Sequence, residues 1–137
     1  MRGKISVFVD SGAWIALAIE QDPSHEQAME KWLALSESGS RYFTSVPVIL
    51  ETFTFLERNT DLQTALLWKD ELAKLSRLDV WECPLGVLKE SWKWFDRKDL
   101  FKLSAVDATS FTLMVRHKVK RAFTFDAHFS TAAFYII

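Results

Sequence analysis

The sequence contains one cysteine, Cys83, and no large excess of charge of either sign. A single cysteine rules out a disulfide within the chain, so we expect a reducing compartment such as the cytoplasm. The net charge of -1 gives the chain no overall basic field, so any contact with nucleic acid must come from a local patch or through a metal. Charge alone therefore neither supports nor excludes such a partner.

The sequence also lacks a long apolar run and is poor in glycine. No apolar run approaches the roughly 18 residues of a membrane-spanning helix, and the N-terminus does not resemble a signal peptide, so we expect a soluble protein that is not exported. With four glycines and no G-x-x-x-x-G-K-[ST] loop, a nucleoside triphosphatase is not expected. The 49% hydrophobic content and the length of 137 residues predict one globular domain, residues 1–137.

Short apolar stretches alternate with longer stretches of helical periodicity along the chain. The first, 5–9, is rich in Val, Ile and Phe, which is typical of a strand buried on both faces. Further strands are predicted at 41–44, at 78–82 as an edge strand, at 122–125 and at 134–137. Helices are predicted at 13–19, 23–36, 46–58, 62–76, 85–95, 105–117 and 127–133. This order predicts an α/β fold, a three-layer α/β/α sandwich with a short, mainly parallel central sheet of about five strands.

Four acidic residues are placed where a parallel sheet would gather them. Asp10 and Asp126 each follow a predicted strand, and the carboxyl ends of parallel strands share the edge where α/β proteins bind ligands. Asp107 lies in the first turn of a helix that a long loop, 96–103, can bring to the same edge. Glu51 lies in the first half of an apolar helix, where an acid is rarely buried without a partner.

An acidic cluster beside an apolar core is costly unless a cation neutralises it or it takes up protons. Carboxylate oxygens suit Mg²⁺ or Mn²⁺, and these ions activate water and clamp phosphate oxygens. We therefore interpret the four acids as metal ligands and catalytic residues for phosphodiester hydrolysis. Two of them also have a structural interpretation, because Asp107 has capping-box spacing with Ser104 and Asp10 occupies a common turn position.

Other polar residues near these acids are assigned supporting roles. Ser11 is predicted to cap the helix after Asp10. Thr124 is predicted to orient a metal-activated water; the alternative is that threonine occurs here only because it favours strands. The histidines are interpreted as surface or capping residues, with His128, two residues past Asp126, the one placed to line the site.

The densest local cluster of cations lies in the charged loop before Asp107. We predict that it holds substrate phosphate, although a solvated charged loop is the alternative interpretation. The residues are Arg97, Lys98 and Lys102.

Five motifs occur in a characteristic order and spacing: VDSGAWIAL at 9–17, DPSH at 22–25, SVPVILET at 45–52, LSAVDA at 103–108 and AFTFDAHF at 122–129. Together they resemble the PIN-domain family, and within it the VapC-type toxins of bacterial and archaeal toxin-antitoxin pairs. The resemblance covers nearly the whole chain. One departure is Gly12, where a side chain such as Ser or Asn is common, which is expected to loosen the loop at the metal site.

This resemblance implies a function and a set of site residues. It implies an endoribonuclease, dependent on Mg²⁺ or Mn²⁺, that cleaves single-stranded RNA with a metal-activated water. It also implies a homodimer that is silenced by an antitoxin protein occupying the active groove. The implied metal ligands are Asp10, Glu51, Asp107 and Asp126, with Ser11 and Thr124 as supporting hydroxyls.

An alternative of a different class is a non-catalytic PIN-like interaction module or a receiver-like phosphoacceptor domain. Receiver domains are also small α/β sandwiches with an aspartate at a strand end. The receiver is less favoured, because the middle strand ends in Glu82, Cys83 and Pro84 and no lysine follows a later strand in the required position.

Overall fold

The computed structural model describes residues 4–137 and contains a five-stranded sheet. The strand order is β3-β2-β1-β4-β5, and every neighbouring pair is parallel. The predicted parallel α/β architecture is therefore confirmed. The strands are β1 Ser6–Val9, β2 Arg41–Ser45, β3 Leu78–Trp81, β4 Arg121–Phe123 and β5 Tyr135–Ile136.

Seven α-helices connect these strands within the described residues. They are α1 Ser11–Ala18, α2 His25–Glu37, α3 Val46–Asn59, α4 Leu62–Ala73, α5 Leu85–Ser91, α6 Ala105–His117 and α7 His128–Thr131. A 3₁₀ helix, Trp92–Asp96, follows α5 where a single helix was predicted. The indole N–H of Trp94, in this 3₁₀ helix, donates to Thr112 Oγ1 at 3.1 Å and so links the 3₁₀ helix to α6.

The start of α2 differs from the prediction, because Asp22 and Pro23 form a turn before the helix. Asp22 Oδ1 accepts a hydrogen bond from the backbone N–H of Ser24 at 2.8 Å. The Asp22 carbonyl accepts another from the N–H of His25 at 2.9 Å. The aspartate thus closes a local turn, as short polar side chains often do, and the helix begins two residues after the proline.

Helices cover both faces of the sheet, and successive side chains of each strand point to opposite faces. On one face, Phe8 and Phe43 stack on Trp81, with ring centroids 5.5 and 5.1 Å apart, and Trp81 stacks on His117 of α6. On the other face, Tyr42 stacks on Trp32 of α2 at 4.5 Å. Aromatic stacking therefore contributes to packing on both faces of the sheet.

β1 lies at the centre of the sheet, between β2 and β4. Its last three residues, Val7, Phe8 and Val9, are fully buried, as predicted for a strand covered on both faces. β3 lies at the edge, which also agrees with the sequence pattern. Within residues 4–137, no helix combines the length and apolar character that crossing a bilayer requires.

Candidate metal centre

Asp10 follows β1 directly and caps α1. Its carbonyl accepts hydrogen bonds from the N–H groups of Ala13 and Trp14 at 3.1 Å each, while its side chain makes no capping bond. The predicted N-cap, Ser11, is instead the first helical residue. Because the Asp10 backbone begins the helix, its carboxylate is left available to the carboxyl edge of the sheet.

The hydroxyl of Ser11 connects this helix start to the acid of α3. Ser11 Oγ donates to Glu51 Oε1 at 2.6 Å. α3 begins at the same edge because Ser45, the last residue of β2, caps it by accepting from the N–H of Val48 at 3.3 Å. Glu51 in the second turn of α3 is therefore held next to the end of β1.

Asp107 reaches the edge at the start of α6. Ser104 caps the helix by accepting a hydrogen bond from the N–H of Asp107 at 3.0 Å, as its sequence position predicts. The Asp107 residue is buried, and its side chain lines the same cavity as Asp10 and Glu51. The capping interpretation and the site interpretation both apply, because the cap uses the backbone of Asp107 and leaves its carboxyl group free.

Asp126 lies three residues beyond the end of β4, which stops at Phe123 and not at Phe125 as predicted. The fully buried Thr124 bridges this gap. Its hydroxyl donates to Asp10 Oδ2 at 2.9 Å and accepts from the N–H of Asp126 at 3.0 Å. Thr124 thereby joins two acids that are far apart in the sequence.

The structure brings all four predicted acids to one open cavity of about 600 Å³. Ser11 also lines it, and the hydroxyl of Thr124 lies behind it against Asp10. The remaining lining residues are Gly12, Ile15, Phe55, Ser104, Phe125 and Ala127. A Cβ atom at Gly12 would meet no atom within 4 Å, so this wall of the cavity is open.

The acids affect one another electrostatically. Burial raises the pKa of Asp10 to about 6, and repulsion by Glu51 and Asp126 adds to the increase. Burial raises the pKa of Asp107 to about 9, assisted by the charges of the other three acids and by its hydrogen bond to Asp126. At neutral pH the metal-free site therefore retains a proton on Asp107.

The pKa of Asp126 moves in the opposite direction. Burial raises it, but hydrogen bonds from the protonated Asp107 and from the backbone N–H of His128 lower it to below its ordinary value. Asp126 is thus the carboxylate of this pair that keeps its negative charge.

The residues present fit a divalent cation. Asp10 Oδ1 is buried and, within residues 4–137, has no hydrogen-bond partner, although a buried carboxylate oxygen without one is costly. Asp107, Asp126 and His128 each offer a ligand atom, and these atoms lie within 4.8 Å of one another. A cation bound here would offset the repulsion between the acids and replace the proton on Asp107.

His128 is the site residue that sequence reasoning undervalued. Its Nδ1 lies 2.8 Å from Asp126 Oδ1, and its Nε2 lies 2.6 Å from the carbonyl oxygen of Phe101. Both neighbours are acceptors, so the ring can donate to both of them only in its protonated form. The Phe101 carbonyl accordingly raises the pKa of His128. The histidine therefore orients Asp126 and ties the 96–103 loop to the site, and its spacing from Asp126 was the available sequence signal.

The predicted phosphate-binding cations do not line the acidic cavity in the described part of the chain. Arg97 pairs with Asp99 through two hydrogen bonds, of 3.0 and 2.6 Å, and also donates to the carbonyl of Thr131. Its guanidinium is thus largely engaged within the loop. Lys98 and Lys102 are exposed, and a role for these three residues in binding substrate stays a prediction.

Comparison with known proteins identifies the family. The sequence profile of the PIN domain matches residues 7–135. The chain belongs to the PIN domain family. The resemblance seen in the motifs is thereby confirmed, and the PIN domain is a nuclease fold, which leaves the receiver-like alternative without support.

One relative within the PIN family is similar to this chain in both sequence and structure. The 23S rRNA-specific endonuclease VapC20 of Mycobacterium tuberculosis is 33% identical over 129 residues, which cover 93% of this chain and 95% of the relative. The crystal structure of M. tuberculosis VapC20, described as a Sarcin-Ricin loop cleaving toxin, matches with a TM-score of 0.83 and 30% identity over 93% of this chain and 95% of that one. VapBC2 from Rickettsia felis, bound to a DNA fragment from its promoter, has a TM-score of 0.69 at 12% identity over 97% and 98% of the two chains, and shows the fold alone.

The raised pKa values predict how pH affects the stability of the metal-free protein. Asp10 and Asp107 bind protons more tightly in the folded state, so their contribution is complete below the unfolded pKa of about 3.9 and is lost as the pH rises through about 6 for Asp10 and about 9 for Asp107. We expect Asp107→Asn to flatten the decline in Tm between about pH 5 and pH 9, and Mn²⁺ to raise the Tm of the wild type most at the alkaline end.

Thermal melts in EDTA and in Mn²⁺ across this pH range would measure both effects. Asp70→Asn, at an exposed aspartate of α4, is the matched control and should leave the pH dependence unchanged. An identical decline in Asp107→Asn and the wild type would contradict the assignment of a buried, protonated carboxyl group.

Thr124 provides a second prediction, because its hydroxyl contacts both Asp10 and the backbone of Asp126. Thr124→Val keeps the shape and removes both hydrogen bonds, so we expect Mn²⁺ affinity to fall by roughly 10- to 100-fold. Thr124→Ser should retain most of the affinity, and Thr131→Val, at an exposed threonine of α7, should retain all of it. Isothermal titration with Mn²⁺ measures each value, and equal affinities for Thr124→Val and the wild type would contradict the proposed support.

Proposed function

We propose that this protein is a Mg²⁺- or Mn²⁺-dependent endoribonuclease that cleaves single-stranded RNA and acts as the toxin of a toxin-antitoxin pair. The observation that carries the proposal is the convergence of four acids on one cavity in a chain of the PIN family. The similarity to VapC20, an endonuclease specific for 23S rRNA, supports RNA as the substrate.

The site residues divide into ligands and supports. Asp10, Glu51, Asp107 and Asp126 would hold the cation, which when bound lowers the pKa of water and neutralises charge on the phosphate. Ser11 and Thr124 hold carboxylates in place through the hydrogen bonds described above. No group in the proposal serves as a covalent nucleophile.

The dimensions of the cavity support an unpaired substrate. A volume of about 600 Å³ lies within the range of small-ligand sites, so the cavity can accept a nucleotide or two. The bases of single-stranded RNA can also be splayed apart to let one phosphate approach the acids. An RNA loop would present the same features as a free strand.

Exposed apolar surface supports protein partners, for which we propose an antitoxin and a second copy of this chain. Leu33, Leu50 and Leu67 are each more than half exposed. Light scattering that gives twice the 15.8 kDa chain mass would support the homodimer, whereas a monomer at all concentrations would argue against it. A small neighbouring reading frame whose product binds this protein and stops RNA cleavage would identify the antitoxin.

Substitution of the central acids tests the proposed activity. Asp10→Asn and Asp126→Asn each remove one negative charge from the site with little change in volume. We expect either variant to lose at least about 100-fold of the Mn²⁺-dependent cleavage of single-stranded RNA, because metal stabilisation of the reaction contributes several kcal/mol. Gel analysis of end-labelled RNA, with and without EDTA, measures the rate.

Asp70→Asn is again the control, and circular dichroism should show that all variants are folded. Undiminished cleavage by purified, folded Asp10→Asn or Asp126→Asn would refute the catalytic assignment. Absence of RNA cleavage by the wild type in Mn²⁺ would favour the non-catalytic interaction module.

A further inference from the structure

Two phenylalanine rings lie in the wall of the acidic cavity. Phe55 is 40% exposed and Phe125 is 36% exposed, and both line the cavity together with the four acids. Because both rings remain partly exposed, they contribute less to core packing than a fully buried ring does. Their position beside the four acids therefore suits a ligand that has both a charged group and flat apolar groups.

The two rings come from different sides of the site. Phe55 lies four residues after Glu51, on the same face of α3 and one turn further along. Phe125 immediately precedes Asp126 in the segment after β4. The hydrogen bonds from Ser11 to Glu51 and from Thr124 to Asp10 show that the start of α1 lies between these two segments.

Phe125 is held in a defined orientation. Its ring packs edge to face on Phe123, with the centroids 6.1 Å apart. The ammonium group of Lys31 lies 5.5 Å from the centroid of the Phe125 ring and also donates to the carbonyl of Ile137. A ring fixed by such neighbours loses little entropy on binding, and Lys31 places a positive charge beside this ring.

RNA has the composition that this arrangement requires. Its phosphates suit a cation held by the four acids, and each phosphate is flanked by nucleobases whose faces stack on aromatic side chains regardless of sequence. A peptide would supply neither a phosphate nor regularly spaced flat groups. RNA is therefore the ligand that would use the cation and the two rings together.

We propose that Phe55 and Phe125 stack on nucleobases next to the phosphate bound at the acids, and so position single-stranded RNA for cleavage. This inference rests on the proposed nuclease function. It makes the two phenylalanines positioning residues on opposite sides of the reacting phosphate.

The test uses a single-stranded RNA oligonucleotide of mixed sequence whose cut position has been mapped with the wild-type protein. Phe55→Leu and Phe125→Leu keep an apolar side chain and remove the flat ring, so each should lower kcat/KM by roughly tenfold or more. Phe55→Trp and Phe125→Trp keep a flat ring and should cleave at about the wild-type rate. Phe95→Leu, at a ring that is 45% exposed but does not line the cavity, is the matched control and should cleave like the wild type.

Abasic substrates separate stacking from a general structural role. An abasic nucleotide on one side of the cut should slow the wild type by a similar factor. The same substrate should cause little further loss in the variant whose ring would face the missing base, because the two changes remove one interaction. Mn²⁺ affinity and Tm should be unchanged in both Leu variants.

Each other outcome overturns the proposal in an identifiable way. Wild-type rates for both Leu variants on intact RNA show that the rings do not position the substrate. Losses that multiply with the abasic losses show that the rings do not contact the bases. Absence of cleavage by the wild type in Mn²⁺ overturns the nuclease function itself, and the stacking role with it.

Discussion

The repulsion among four carboxylates at one edge of a parallel sheet is the constraint on which the rest of this site depends. Burial and mutual charge raise the pKa of Asp10 and Asp107, and one buried oxygen of Asp10 has no partner within residues 4–137. Carboxyl groups that are buried and repel one another in this way do not stabilise the metal-free protein. The strain is relieved by a proton or by a divalent cation, and this makes the site selective for positive charge.

Neutral hydroxyl groups hold the acids in place without cancelling their charge. Ser11 binds Glu51, and Thr124 joins Asp10 to the backbone of Asp126. Arginine or lysine at these positions would also hold the acids, but it would occupy the place of the cation. His128 binds Asp126 from the side of the 96–103 loop, and its contact with the Phe101 carbonyl links that loop to the site.

The fold was largely predictable because its signals are local. Buried parallel strands have continuous apolar runs, and the helices between them start at recognisable caps such as Ser45 and Ser104, both of which cap as their sequence positions indicate. The errors also have local causes. Asp22 closed a turn and did not cap α2, and β4 ended at Phe123, which pairs with Val9, the last residue of β1.

The site was less predictable than the fold. Ser11 was expected as a cap, but Asp10 performs that role with its backbone alone. The importance of His128 depends on Phe101, a residue 27 positions away, whose carbonyl completes the environment of the imidazole ring. Arg97 looked like a free cation in the sequence, yet it folds back on Asp99. Such pairings depend on side-chain directions, which periodicity does not encode.

The sequence by itself determined which segments are strands and helices, and that acids follow two of the strands. Only the tertiary structure decided that β1 and β4 are neighbours, so that Asp10 and Thr124, 114 residues apart, share a hydrogen bond. The reason is physical: the order of strands in a sheet is set by the packing of whole helical layers. The pKa of each acid then follows from the neighbours and the burial that this packing imposes.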